Sequence, residues 1–198
     1  MSTENLYTYL EKTLEETMGE YEFALDWSKK DRTIKTSIRL FAENPHNIDF
    51  EDKHAIVSKE GVIEFEDSAI FYGKSKETSI KQEDYLVTIP FDEKIGLEKG
   101  VVDAFANSLK DMMDEGQSDL LQFIEESSLV MGLDGLTDDQ IKIYFNELSA
   151  PAQETLLNAL DKEELTFHLH FDQSAFETLK QENLNTEDGK VMLDYPLY

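Results

Sequence analysis

The sequence predicts an α+β fold: an antiparallel β-sheet of about six or more strands, an N-terminal helix and C-terminal helices packed on it, and an inserted helical hairpin. In residues 21–27 and again in 34–40, apolar and polar residues alternate. A period of two is typical of strands with one buried face and one wet face. The polar residues 29–32 between them suit a hairpin loop, so this pair of strands founds the sheet.

A helix is predicted before this β-hairpin. Ser2 is a suitable N-cap, and Gly19 is a suitable stop. The apolar residues between them lie four apart, which places them on one helical face: Leu6, Leu10, Leu14 and Met18. We expect that face to cover one side of the sheet.

Further strands are predicted from short apolar segments bounded by turn residues. A turn at 44–47 precedes them, an exposed loop is expected over 74–84, and Pro90 is expected to end the strand before it. The predicted strands cover residues 55–58, 62–66, 69–72, 85–89, 165–171 and 191–193.

The C-terminal half is predicted to be mainly helical. One helix, with inward apolar residues from Val101 to Met113, should end at Gly116, and Ser118 should cap a short helix over 119–126. One or two helical turns are expected over 174–180.

The helical hairpin is predicted over residues 127–164. Thr137 is a suitable N-cap for its first helix, and Ser149, with Pro151 in the first turn, is suitable for the second. The second helix is predicted to carry the leucines Leu156, Leu157 and Leu160. We therefore predict one α+β domain over residues 1–198, with 127–164 inserted in it.

Charge excludes several classes of partner. The 43 acidic and 18 basic residues give a net charge of −25 and a pI near 4.3. Direct binding to nucleic acid or to an anionic membrane needs a basic surface, so neither is expected. The chain has no cysteine, which excludes disulfides and thiolate chemistry. We find no signal peptide and no membrane-spanning apolar segment, and we expect a cytoplasmic protein.

Three segments carry a resemblance to a known family: residues 21–30, 65–72 and 83–91. In these segments the chain resembles an uncharacterised family of small acidic cytosolic proteins from lactic-acid bacteria and their relatives, classed as a domain of unknown function. The resemblance extends from the first helix to Glu126 and resumes at 165–177. It implies no activity and no catalytic residue, and the hairpin resembles an insertion absent from shorter members.

The chemical candidate in the sequence is His168-x-His170-x-Asp172. On a strand, residues two apart share a face, so two imidazoles and a carboxylate would align as ligands for zinc, nickel or iron. The alternative is a solvated strand face that holds two histidines without a metal. We identify no catalytic residue and no cofactor-binding motif, since no Gly-x-Ser-x-Gly turn or phosphate-binding glycine loop is present.

Two classes of function follow from these observations. The first is a non-enzymatic interaction or adaptor module that binds another protein through the free sheet face or the acidic hairpin. A variant of it is nucleic-acid mimicry, in which the negative charge binds a basic partner. The second is a metal-binding protein or metal-dependent enzyme that uses His168, His170 and Asp172.

Overall fold

The structure, a computed structural model, describes residues 4–49, 54–57 and 61–196. No helix in these ranges is both long enough and apolar enough to cross a membrane. The helices are α1 (Leu6–Thr17), α2 (Lys99–Met131), α3 (Asp138–Glu147), α4 (Ala150–Leu160) and α5 (Gln173–Leu184). The strands are β1 (Glu22–Ser28), β2 (Thr33–Glu43), β3 (Ala55–Val57), β4 (Val62–Gly73), β5 (Thr88–Phe91), β6 (Leu97–Glu98) and β7 (Met192–Leu193).

The main sheet is mixed, with the order β1-β2-β4-β3 and with β5 also paired to β4. The founding hairpin is confirmed, because β1 and β2 are antiparallel and Trp27 lies opposite Ile34. In contrast, β5 runs parallel to β4. The α+β class is therefore confirmed. The prediction of an antiparallel sheet with six or more strands was wrong. This mixed sheet has five described strands, and β6 and β7 form a separate antiparallel pair.

The connection between β4 and β5 explains the parallel pairing. Parallel neighbours need a connection of about a dozen residues or more, and residues 74–87 supply it. Two short 3-10 helices, Lys74–Ser79 and Gln82–Asp84, lie where an exposed loop was predicted. Pro90 lies inside β5 instead of ending it. A proline amide cannot join a ladder, and proline in a strand is confined to edges and ends.

The strands predicted at 62–66 and 69–72 form the single strand β4. Its residues alternate in burial at first and are all buried from Ala69 to Gly73. In β2 the predicted inward residues Ile34, Thr36 and Ile38 are fully buried. The corresponding face of β1 is only half-buried. The strand predicted over 55–58 is found as β3, and its last position lies outside the described residues.

The chain divides into two compact units. The sheet unit comprises Met1–Leu40, Phe65–Glu115 and Leu169–Tyr198. The helical unit comprises Phe41–Glu64 and Gly116–His168. Three of the four boundaries fall within β2, β4 and α2, and the fourth falls in the segment before α5. Whether the chain is one domain with 127–164 inserted stays a prediction.

An aromatic core fills the sheet unit. The rings of Phe71 and Phe105 meet edge to face, with centroids 5.0 Å apart. Phe91 stacks on Tyr195 at 4.5 Å, and the Tyr195 hydroxyl accepts a hydrogen bond from Trp27 Nε1 at 2.9 Å. These contacts bring the C-terminal segment into the core, because buried aromatic rings contribute large apolar areas.

The first helix has the predicted face and a different cap. Leu6, Leu10 and Leu14 are fully buried. The N-cap is Asn5, whose Oδ1 accepts a hydrogen bond from the Thr8 amide at 2.9 Å. The predicted cap, Ser2, lies outside the described residues.

The predicted break at Gly116 is absent, since α2 continues for 33 residues through this position. A glycine inside a helix costs only about 1 kcal/mol relative to alanine, and packing offsets that amount. The inward residues predicted from Val101 to Met113 are buried, as are Leu120 and Ile124. A helix end needs more than one unfavourable residue when both sides have buried faces.

The strand predicted over 165–171 was wrong, because these residues belong to no strand. Their alternation is nevertheless visible in burial, with Leu169 and Phe171 buried and His168 and His170 exposed. An extended segment alternates its side chains whether or not another strand bonds to it. The helical turns predicted at 174–180 are part of α5, and the terminal strand is found as β7.

Candidate functional site

The three predicted metal ligands lie in the segment that leads into α5. His168 and His170 are exposed, and Asp172 is the N-cap of α5, where its Oδ1 accepts a hydrogen bond from the Ala175 amide at 2.9 Å. In the described part of the chain, no group of three or more histidine, aspartate or glutamate side chains is arranged to hold a metal ion. Metal binding by these residues stays a prediction without support from the geometry.

A polar cluster near the start of α2 in the sheet unit was not predicted. The Tyr9 hydroxyl donates a hydrogen bond to Asp103 Oδ1 at 2.8 Å, and Lys99 Nζ lies 5.0 Å from the centre of the Tyr9 ring. Burial raises the pKa of Asp103, although the Tyr9 hydrogen bond opposes the shift. Burial also raises the pKa of Tyr9. Each of these polar groups has a partner within the cluster. The cluster therefore links α1 to α2.

A second cluster joins the end of α1 to the middle of α2. Lys110 Nζ lies 2.8 Å from Glu20 Oε1 and 3.0 Å from Asp114 Oδ2. The Tyr21 hydroxyl donates a hydrogen bond to Asp114 Oδ1 at 2.5 Å. Burial, with that hydrogen bond, raises the pKa of Tyr21 to about 12. Hydrogen bonds from Tyr21 and Lys110 lower the pKa of Asp114.

Two cavities in the sheet unit are poorly suited to a small ligand. One of about 190 Å³ lies beside β5 and β6, below the roughly 300–1,000 Å³ usual for ligand pockets. A groove of about 790 Å³ along α5 is large enough, but it is open to solvent along its length and lined by polar side chains such as Gln173, Glu177 and Gln181. An enclosed apolar pocket is what small molecules usually require.

In the helical unit, α3 and α4 form the predicted helical hairpin. Thr137 caps α3 in a capping box, in which its Oγ1 accepts from the Gln140 amide and the Gln140 side chain accepts from the Thr137 amide. Ser149 caps α4, with Pro151 in the first turn, as predicted. Both caps act within a single helical turn, which is why local sequence patterns predicted them.

Tyr144 attaches α3 to the end of α2. Its hydroxyl donates a hydrogen bond to the Leu129 carbonyl oxygen at 3.2 Å. Its ring lies so close to Gly132 that a β-carbon there would clash with the hydroxyl group. A larger residue at 132 would therefore displace the Tyr144 ring. Gln153 Nε2 then joins α4 to α3 by donating to the Phe145 carbonyl oxygen at 2.8 Å.

An ion pair between exposed Lys162 and buried Glu126 attaches the end of α4 to α2. The side chain of Glu126 is 3% exposed, and both of its oxygens lie 2.8 Å from Lys162 Nζ. Gln122 Nε2 donates a further hydrogen bond to Oε1. Burial alone would raise the pKa of Glu126, but the hydrogen bonds and the Lys162 charge outweigh burial and lower it. We call this arrangement the Glu126 clamp. Glu126 and Lys162 lie 36 residues apart, so no local pattern in the sequence indicated this pair.

The hairpin leaves apolar side chains in solvent. Ile143 on α3 is 58% exposed, and Leu157 and Leu160 on α4 are 52% and 53% exposed. We call these three residues the hairpin surface. On α4 only Leu156 and Ala159 are buried, so one of the three predicted leucines of this helix faces inward and two lie in solvent. Leucine content marked α4 as amphipathic, but it did not show which leucines the neighbouring helices cover.

Comparison with known protein families shows what this chain is related to. A family described as a protein of unknown function, DUF3013, matches residues 1–135. The chain belongs to this family. The resemblance to an uncharacterised family predicted from residues 21–30, 65–72 and 83–91 is thereby confirmed. The DUF3013 match ends just before α3, so the hairpin lies beyond the matched part.

A solved structure extends the comparison beyond the DUF3013 match. The chain is similar to a conserved protein of unknown function from Enterococcus faecalis, with 34% identity over 99% of this chain and 97% of that one. The TM-score is 0.70. Coverage of 99% includes the α3–α4 hairpin, so this relative has a counterpart of it. Among curated proteins, none matches the chain.

Proposed function

We propose that this DUF3013 protein is a non-enzymatic interaction module that binds another protein through the hairpin surface, Ile143, Leu157 and Leu160. The observation that carries the proposal is the pair of leucines three residues apart on α4, each more than half exposed. Residues three apart are neighbours on a helix, so the two side chains form one apolar patch.

The distribution of exposed apolar residues supports the proposal. Single exposed apolar side chains are normal on a protein surface and carry no information. Among the described residues, however, six of the eight large exposed apolar side chains belong to the helical unit, and only Ile95 and Val191 belong to the sheet unit. The six are Phe41, Leu121, Met131, Ile143, Leu157 and Leu160.

The hairpin does not need these leucines for its own attachment. Tyr144 and the Glu126 clamp hold it to α2, Gln153 joins α4 to α3, and Leu156 and Ala159 are its buried residues on α4. Covering a half-exposed leucine is worth on the order of 1 kcal/mol. A partner that covers Leu157 and Leu160 would gain that free energy without disturbing the hairpin.

The test compares two pairs of surface substitutions in native lysate. Leu157→Ser/Leu160→Ser removes the patch, and Ile95→Ser/Val191→Ser removes two other exposed apolar side chains, which belong to the sheet unit. We expect a stoichiometric partner to be captured by the wild type and by the control variant, but not by the leucine variant. Circular dichroism of each variant establishes that it is folded.

Two outcomes contradict the proposal. A partner captured equally by both variants binds elsewhere. A partner lost from all three proteins when the salt concentration is raised, whether or not the leucines are present, would favour nucleic-acid mimicry, because exposed charges are screened by salt.

A further inference from the structure

We infer that the hairpin surface binds a basic amphipathic helix of its partner, an inference that rests on the proposed function and specifies its ligand. Carboxylates lie around the exposed apolar side chains of this surface. The complementary partner helix therefore has leucine or a similar apolar residue, with lysine or arginine one turn before and one turn after it.

On α3, carboxylates lie one turn to each side of Ile143. Asp139 precedes it by four residues and Glu147 follows it by four. All three residues are exposed. Since residues four apart are neighbours on a helix, they form one line in the order acid, apolar, acid.

The same order recurs on α4. Glu154 precedes Leu157 by three residues, and Asp161, the C-cap residue, follows it by four. Both carboxylates are exposed, and Leu160 extends the apolar part of the line. Two consecutive helices therefore offer the same pattern.

The local cations are already engaged. Between residues 116 and 168 eleven acidic residues accompany only two basic ones, Lys142 and Lys162. Lys162 is paired with Glu126 in the Glu126 clamp, and Lys142 Nζ lies 3.8 Å from Asp139 Oδ1. Within the described ranges, no ion pair engages Glu147, Glu154 or Asp161. Their charges remain available to a cation from outside.

A helix matches the spacing of this pattern. The α4 helix has 11 residues and is about 16 Å long at about 1.5 Å per residue. A partner helix with basic residues three or four positions from a central leucine repeats the one-turn spacing of Glu154, Leu157 and Asp161. An extended strand does not, because its same-face residues recur every two positions.

Charge disfavours two other occupants. A second copy of this chain would bring carboxylates against carboxylates, and like charges across an interface weaken it. An anionic membrane would repel the same surface. A basic helix satisfies the apolar and the charged parts of the pattern together.

The experiment uses two synthetic 18-residue helical peptides with the same leucine face. One has lysine at all polar positions and the other has glutamate. Binding of each labelled peptide to the full chain is followed by fluorescence anisotropy at low and at high salt. We expect the lysine peptide to bind and the glutamate peptide not to bind.

Three variants separate apolar from charge contributions. We expect Leu157→Ser/Leu160→Ser, which keeps every charge, to weaken lysine-peptide binding about tenfold or more. Glu154→Gln/Asp161→Asn should weaken it several-fold and make it less sensitive to salt. The matched control Glu15→Gln/Glu16→Gln removes two exposed charges from α1 and should leave it unchanged.

The outcomes that overturn the inference are distinct from failure of the proposed function. Equal binding of the lysine peptide to the leucine variant and to the wild type would mean attraction by net charge alone. Concentration-dependent dimerisation that Leu157→Ser/Leu160→Ser abolishes would make a second copy the occupant. If neither peptide binds while native-partner capture still depends on the two leucines, the basic helix is wrong and the proposed function stands. If capture is also independent of them, both fail.

Discussion

The leucines of α1, in the sheet unit, and those of α4, in the helical unit, differ in burial. All three leucines of α1, Leu6, Leu10 and Leu14, are fully buried. Of the three in α4, Leu156 is buried, while Leu157 and Leu160 are more than half exposed. The sheet unit thus uses its helical leucines for its own core, whereas the helical unit retains apolar area that can bind something else.

The two units also differ in where their charged contacts lie. The main charged cluster of the sheet unit, around Lys110 and Asp114, lies on the surface. The helical unit has a buried carboxylate, Glu126, which needs its lysine because an unpaired buried charge is costly. The helical unit therefore relies on a few specific contacts where the sheet unit relies on apolar packing.

The largest expected difference is between two leucine truncations. Leu10→Ala should lower the free energy of unfolding by about 2–5 kcal/mol, because it leaves a cavity in a closed core. Leu157→Ala should lower it by no more than about 1 kcal/mol, since half of the side chain is already in solvent. Urea unfolding measures both. Similar losses would contradict the contrast between the units.

The Glu126 clamp gives the next effect. Lys162→Met leaves Glu126 buried without its cation and should cost about 1–3 kcal/mol. The matched change Lys142→Met removes an exposed pair and should cost under about 1 kcal/mol. Hydrogen exchange should become faster in α4 for Lys162→Met alone. Unchanged exchange there would show that the clamp does not hold the hairpin.

Acid should act on the same contact. The pKa of Glu126 is lowered in the folded protein, so its stabilising contribution is present above the unfolded value near 4.5. It is lost as the pH falls through the lowered folded value. Hydrogen exchange of α4 between pH 6 and pH 3, a range of about three units around ordinary carboxyl values, should show this loss in the wild type. Glu126→Gln should be less stable at pH 6 and should show a smaller change on acidification.

The smallest effect concerns the capping box. Thr137→Ala removes the side-chain acceptor for the Gln140 amide and should cost about 1 kcal/mol. Thr137→Ser keeps that acceptor and should restore most of the stability. Thermal unfolding compares the two variants. If they were equally destabilised, the methyl group of Thr137, and not its hydroxyl, would be the important part.

Local signals in the sequence determined the elements that depend on a few neighbouring residues. The alternation over 21–27 and 34–40 predicted the β1–β2 hairpin, and Thr137, Ser149 and Pro151 predicted where α3 and α4 begin. These features satisfy backbone groups within a turn or across one hairpin. No distant part of the chain is needed to specify them.

Tertiary structure alone decided the features that depend on distant partners. The parallel pairing of β5, the continuation of α2 through Gly116 and the absence of a strand over 165–171 each depend on what packs or bonds alongside. The candidate site also depends on tertiary structure, because Leu156, Leu157 and Leu160 are the same residue type on one short helix. Only the position of the neighbouring helices decides that the first is covered and the other two remain in solvent, since burial is a property of the packed chain.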